Sequence, residues 1–425
     1  MNDRRLIDGD LRHSVLERYF AVRALSAKLA APLSAEDQCV QAMPDASPTK
    51  WHLAHSSWFF ETVILSPFLP DYRVFDERFH YLFNSYYESL GPRQARQQRG
   101  LITRPGVDEV QRYRAHIDAA MECFITGCDD RNWQSALGLI ELGLNHEQQH
   151  QELILTDIKY ALSLNAFDPA YQAPVAPNIG AAPALAWCDF PGGQIDIGDS
   201  GSGFAFDNEC PRHAVLLRPY QLANRPVSCG DYLAFIADGG YERPEYWLSD
   251  GWAMVREQGW LAPLYWRHES DGGWSVFTLH GRQALNPAEP VCHVSFYEAA
   301  AYAAWAGARL PTEFEWEAAV AALPVEGNWL ESAALHPRPA TPGAGLQQAF
   351  GDVWEWTRSA YDPYPGFKPL PGAVAEYNGK FMISQMVLRG GSCASPAGHL
   401  RASYRNFFPP SARWQFSGIR LARDQ

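Results

Sequence analysis

His146 and His150 stand four residues apart in the run His146-Glu147-Gln148-Gln149-His150. On a helix, positions i and i+4 share one face a turn apart, so two imidazoles can reach a single cation, and Gln149 lies beside them at i+3 from His146. A third ligand has to come from another segment. Trp51-His52-Leu53-Ala54-His55 supplies two further histidines. Either His52 or His55 would complete a face of three nitrogens and leave open coordination positions for substrate and O2. The same five residues match HExxH, the zinc metalloprotease pattern in which Glu147 would act as general base beside the metal. The HxxGxxH extension of that pattern does not follow. His80, His116, His213 and His399 have no second histidine at ligand spacing and are expected to be structural.

The elements that must position these side chains are helical. Val15, Leu16, Tyr19, Phe20 and Val22 recur at helical spacing, as do Leu139, Leu142, His146, Gln149 and Leu153, which predicts a helical bundle over residues 1–164. Gly and Pro collect in connections such as SPFLPDY and GPRQARQQRGLITRPG. Residues 165–185 turn Ala/Pro-rich and read as a linker. From 186 to 425, short apolar stretches are broken by Gly, Pro and Asp, and aromatic residues are dense. Helical spacing there is confined to stretches such as Phe296 to Trp305 and Glu313 to Ala322, so this half is expected to be an irregular α+β domain. A chain of 425 residues with 47% hydrophobic content can fill two cores.

The charge balance, 35 Lys and Arg against 48 Asp and Glu, gives −13 with no basic block to track phosphates, which argues against a nucleic-acid partner. No run of about 18 apolar residues occurs, and the first residues lack the basic, apolar and small-residue sections of an export signal. A cytoplasmic protein without membrane contact is expected. The eight cysteines are scattered with no CxxC pair, so reduced thiols are expected rather than a disulfide framework or a zinc knuckle.

Three stretches, read in order, resemble the DinB-like iron domain of the sulfoxide synthases of ergothioneine biosynthesis: Lys50-Trp51-His52-Leu53-Ala54-His55, then Tyr81-Leu82-Phe83-Asn84-Ser85-Tyr86-Tyr87, then His146 to Glu152 as HEQQHQE. The resemblance implies Fe(II) held by His55, His146 and His150, with His52 not a ligand. In the second half, Phe190-Pro191-Gly192-Gly193, Val294-Ser295-Phe296-Tyr297-Glu298-Ala299, Arg309-Leu310-Pro311-Thr312-Glu313, Gly351-Asp352-Val353-Trp354-Glu355-Trp356 and Leu388-Arg389-Gly390-Gly391-Ser392 resemble the formylglycine-generating-enzyme fold, which is C-type-lectin-like. Fold markers alone carry no function. A formylglycine-generating enzyme would need a reactive cysteine pair near the C-terminus, and Cys393 stands alone there. The combination of a three-histidine bundle with this second domain is what points to the synthases.

The chemistry so implied is O2-dependent joining of a cysteine sulfur to the imidazole C2 of hercynine, giving hercynylcysteine sulfoxide. Tyr86 and Tyr87 occupy the place of the catalytic tyrosines of cysteine-using members, with Tyr86 expected to be the proton donor. Tyr361 and Tyr364 align with tyrosines lining the site. Arg405-Asn406-Phe407-Phe408 matches the stretch that holds hercynine, so Asn406 is expected to bind its carboxylate, Phe407 to face its quaternary ammonium, and Gln149 to hydrogen-bond its imidazole. Members that use γ-glutamylcysteine carry an Asp where this chain has Phe408, which points to free cysteine here. Relatives acting on unmethylated histidine (ovothiol-type) or on a selenium donor share both domains; the ovothiol-type usually carries a methyltransferase domain besides.

Overall fold

A computed structural model describes residues 2–173 and 182–425, and the chain divides into two compact units, Met1–Leu164 and Asn165–Gln425. The main helices of the first unit are Asn2–Ala30, Thr49–Phe60, Val107–Gly127 and Asp130–Ser163. Asp129 caps the last of these, its side chain accepting the Asn132 backbone N–H at 2.9 Å, which satisfies one of the free donors at the helix start. Val15, Tyr19 and Val22 face inward, whereas Phe20 is 38% exposed. Helical spacing of 3.6 therefore selects three of the five apolar positions in that run.

Thr49–Phe60 packs against the other three helices, and all of its residues are buried. A helix in that position that carries Lys50, His52, His55, Ser56 and Ser57 has to satisfy each polar group inside the protein. Lys50 Nζ donates to the carbonyl of Pro105 at 3.1 Å. Ser57 Oγ accepts from Arg23 at 2.9 Å and Ser56 Oγ from Arg114 at 3.2 Å. The same two arginines close on Glu147, each 3.0 Å from its carboxylate, so a single buried ionic knot links all four helices. Close approach is also built in. A Cβ on Gly143 would stand 2.7 Å from Cε1 of Phe60, so only glycine lets the two histidine-bearing helices meet about a turn before His146. Thr49–Phe60 then widens into a π turn, Glu61–Leu65, whose buried Glu61 accepts from Tyr72 Oη (2.7 Å), Tyr113 Oη (2.6 Å) and Phe75 N (3.1 Å).

The second unit is α+β, as expected. One sheet joins Trp187–Phe190, Tyr220–Ala223 and Ala422–Asp424; another runs Asn406–Phe408, Met386–Arg389, Trp354–Ala360 and Ser417–Gly418. A two-stranded ribbon and a three-stranded meander complete the strands. Helices Cys229–Ala237, Phe296–Trp305 and Glu313–Val320 each begin with a capping box, Ser228 with Asp231, Ser295 with Glu298 and Thr312 with Glu315. The motif residues of this half meet one another as buried ion pairs. Arg405 grips Glu313 through Nε and Nη2 (2.8 and 2.9 Å), Arg389 Nη2 donates to Glu313 at 2.8 Å, and Glu355 takes Arg420 Nε (2.8 Å) and Trp316 Nε1 (2.7 Å).

Of the stretch expected as a linker, residues 174–181 lie outside the described residues, while its start is anchored in the second unit: Tyr171 N–H donates to Leu279 O at 2.9 Å and Asp168 pairs with Arg282 at 2.9 Å. Among the described residues no disulfide forms, and no helix is long and apolar enough to cross a membrane.

Candidate metal centre

The three histidines meet at their Nε2 atoms. His55 Nε2 lies 3.2 Å from His146 Nε2, which lies 3.0 Å from His150 Nε2, and one ligand atom from each falls within 4.8 Å of the others. Metal–nitrogen bonds of about 2.1 Å put ligands that meet at right angles roughly 3.0 Å apart, so the spacing fits three nitrogens on one face of a cation.

The surroundings fix the tautomers of His55 and His150. His55 Nδ1 is 2.6 Å from the carbonyl of Phe83, the last residue of the short helix Arg78–Phe83. A carbonyl only accepts, so Nδ1 carries the proton and Nε2 keeps its lone pair. His150 Nδ1 is 2.7 Å from His52 Nδ1, and His52 Nε2 is 3.1 Å from Asp157 Oδ2, the oxygen that also accepts the Ser47 N–H at 2.8 Å. Since Oδ2 accepts, His52 donates through Nε2, its Nδ1 accepts, and His150 donates through Nδ1. That leaves His150 Nε2 bare as well. Burial pushes His146 down to about 3 and holds His55 and His150 well below the usual imidazole range, so all three are neutral at pH 7. Neutral imidazoles with converging lone pairs are what a transition-metal ion requires; the residues fit such an ion.

Aromatic rings hold the plane of His55. Trp51 stacks on it at 4.6 Å and 13°, Trp58 at 5.5 Å and 17°. The Arg99 guanidinium lies 3.4 Å from the Trp51 ring centroid and donates to Ser47 Oγ (2.9 Å) and Ser85 Oγ (3.2 Å). This buried positive charge helps to hold His55 and His150 neutral. Glu147 faces the other way. With Arg23 and Arg114 upon it, its carboxyl is drawn down to about 2 despite burial, and a carboxylate held by two guanidinium groups cannot serve as the general base of a metalloprotease. HEQQH therefore sets two converging histidines on either side of an inward-facing structural acid.

Residues 184–341 and 339–425 match the family model for the sulfatase-modifying factor enzyme 1-like domain. The chain is 33% identical over 417 residues to the hercynine oxygenase of Mycolicibacterium thermoresistibile, covering 90% of this chain and 88% of that one. The chain belongs to the hercynine oxygenase family. It is also 39% identical over 312 residues to the hercynine oxygenase of Mycolicibacterium smegmatis, covering 67% of this chain and 71% of the relative. The formylglycine-generating enzyme of Streptomyces coelicolor is 28% identical over 321 residues, 62% of this chain and 97% of that enzyme.

Of the other residues singled out in this hercynine oxygenase relative, Tyr86 is half-buried and stacks on Tyr87 at 4.7 Å, while Tyr87 is fully buried and packs on Trp58 at 5.6 Å. Gln149 is half-buried on the helix between His146 and His150. Within the second unit, Phe407 stacks on Tyr361 at 4.0 Å and 12°, and Tyr361 Oη accepts from Asn208 at 2.9 Å. Tyr364 Oη accepts from Arg389 at 3.0 Å. Asn406 Oδ1 accepts the Phe407 N–H at 2.9 Å, and Phe408 meets Trp414 edge-on at 6.0 Å. Sequence reasoning did not find Asp157, Arg99 or the part played by His52. Asp157 stands seven residues after His150, two turns along the same helix face, and that spacing was the available signal; for Arg99, in the short 3-10 helix Arg96–Leu101, there was none.

Proposed function

We propose that this chain is an iron-dependent hercynine oxygenase of ergothioneine biosynthesis that joins the sulfur of cysteine to imidazole C2 of hercynine and yields hercynylcysteine sulfoxide. The atoms balance with O2 as the sole oxidant: the C2–H and S–H bonds break, a C–S bond forms, one oxygen goes to sulfur, and the other leaves as water with the two hydrogens. The observation that carries this reading is the set of three neutral imidazoles with converging Nε2 atoms, the tautomers of His55 and His150 fixed by their neighbours, in a chain related over nine-tenths of its length to a hercynine oxygenase. Fe(II) held by His55, His146 and His150 would supply redox chemistry toward O2 that zinc lacks.

The chain's own groups take the remaining tasks. Tyr86, half-buried and carrying a phenol, delivers a proton toward the reacting oxygen, while fully buried Tyr87 backs Trp58. Gln149 orients the hercynine imidazole. Arg99 places a buried cation beside the ring that supports His55, where it favours an anionic substrate group. Asn406, whose oxygen is occupied by Phe407 N–H, keeps its amide N–H groups for the hercynine carboxylate. Phe407 offers ring surface to the quaternary ammonium, backed by Tyr361, which stacks on it with its hydroxyl held by Asn208, while Tyr364 takes Arg389 at its hydroxyl and Arg405 over its ring beside the Asn406–Phe407 stretch.

Phe408 favours the smaller thiol. A phenyl ring offers no partner to the charged groups of a γ-glutamyl moiety, and leaving one unpaired costs on the order of 1–3 kcal/mol, roughly five- to hundredfold in preference. Protein reconstituted with Fe(II) and supplied with hercynine and O2 should show a higher kcat/KM for cysteine than for γ-glutamylcysteine, with the sulfoxide identified by mass. No O2 uptake with either thiol would sink the proposed function; a clear advantage for γ-glutamylcysteine would sink the inference from Phe408 alone.

A further inference from the structure

His52 lies within the same buried cluster as the three converging histidines, yet turns its ring away from their centre. Its Nδ1 meets the far nitrogen of His150 at 2.7 Å, its Nε2 meets Asp157 at 3.1 Å, and the Ser47 backbone N–H fixes the same Asp157 oxygen at 2.8 Å. All the groups in this chain are buried: His52 is 2% exposed, Ser47 4%, Asp157 6% and His150 9%. The hydrogen bonds run in one direction only. Asp157 can accept from His52 and His52 from His150 only if the proton of His150 sits on Nδ1, and the reverse order would place a proton on His150 Nε2, 3.0 Å from His146 Nε2. From these contacts we infer that His52 and Asp157 are positioning residues of the metal centre: they lock His150 in its ligating tautomer, hold its ring plane, and pass the carboxylate's negative charge through the His52 ring to raise the donor strength of His150.

The three ligands are supported unequally. His55 donates to a backbone carbonyl, that of Phe83, which is neutral and which no side-chain substitution removes. His150 donates into a chain that ends in a charge. A carboxylate linked to a ligating imidazole makes it a stronger donor, and loss of such partners typically lowers metal affinity about 10- to 100-fold. The elements agree with the assignment, since His52 is one turn before His55 on the buried helix Thr49–Phe60 and Asp157 is two turns after His150 on Asp130–Ser163. The pair thereby ties the two ligand-bearing helices together directly behind the metal-facing nitrogens.

The inference rests on the proposed metal centre, so its test measures binding of Co(II), whose visible bands report ligand geometry and whose affinity is read without turnover. Dissociation constants are compared by chelator competition for the wild-type chain and for His52→Leu, His52→Asn and Asp157→Asn, with the thermal midpoint of each metal-free protein as a control for folding. His52→Leu is expected to weaken Co(II) about 10- to 100-fold and to shift the visible bands. Asp157→Asn, which keeps an acceptor and removes the charge, should weaken it by less. His52→Asn, whose side-chain oxygen can still accept from His150 Nδ1, should recover part of the loss. Variants that hold Co(II) within twofold of wild type with unchanged bands would overturn the inference even if their thermal midpoints fell, because that result describes a packing role. A wild-type chain that binds no Co(II) at all would overturn the metal centre, and the pair with it.

Discussion

Tyr86 and Tyr87 are neighbours in the chain with different surroundings. Tyr87 is shut behind Trp58, whose ring stacks on His55, while Tyr86 keeps part of its surface open. A proton donor has to reach substrate or solvent, so removing the Tyr86 hydroxyl should lower coupling and leave substrate binding nearly intact. Tyr86→Phe is expected to cut sulfoxide formation by about 10²-fold or more at near-normal KM, with thiol oxidation gaining in the product mixture. Equal product partition in mutant and wild type, measured by mass spectrometry, would return Tyr86 to packing. At this scale the sequence was readable where residue type dictates chemistry: histidines at helical spacing mark a metal face whatever surrounds them. It was silent where the chemistry depends on direction. Nothing in His52-Leu53-Ala54-His55 says which imidazole turns inward, and the choice of His55 came from family resemblance.

The four helices of the first unit are held by a charge in their core as much as by apolar faces. Leu139, Gln149 and Leu153 of the periodic stripe are only half-buried, whereas Ile140, Glu147 and Ile154 are fully buried. The core stripe therefore includes a carboxylate that hydropathy alone would place outside. Arg23 and Arg114 make that possible, and removing the charge leaves buried Arg114 without a carboxylate and buried Arg23 with Asp118 alone. Glu147→Gln should cost about 3–5 kcal/mol in urea denaturation; a loss below about 1 kcal/mol would show that the knot is not what binds these helices. In the second unit helical spacing made Phe296 to Trp305 and Glu313 to Ala322 legible, and the observed helices Phe296–Trp305 and Glu313–Val320 begin at those residues, each behind a capping box that the sequence reading did not use. Helices Cys229–Ala237 and Ser249–Gln258 were not foreseen. They are short, and Gly230 and Gly251 interrupt their apolar spacing, so their helicity owes more to packing than to local preference.

Taken whole, the chain pairs a bundle that holds a three-histidine centre with an α+β unit whose motif residues are mostly spent on one another, Glu313 on Arg405 and Arg389, and Glu355 on Arg420. Four of the five fold motifs supply one half of a buried ion pair, through Glu298, Glu313, Glu355 and Arg389, and residues so engaged mark a fold rather than carry chemistry of their own. The chemistry rests on the bundle, and the iron content of the purified protein tests it most directly. Anaerobically loaded and desalted wild-type chain should retain about one Fe(II) per molecule, the content expected for a single three-nitrogen site, and His55→Ala should retain less than roughly a tenth of that, since the loss of one of three ligands leaves only a histidine pair. Full iron in His55→Ala, or none in the wild type, would contradict the assignment of His55, His146 and His150 as the metal ligands.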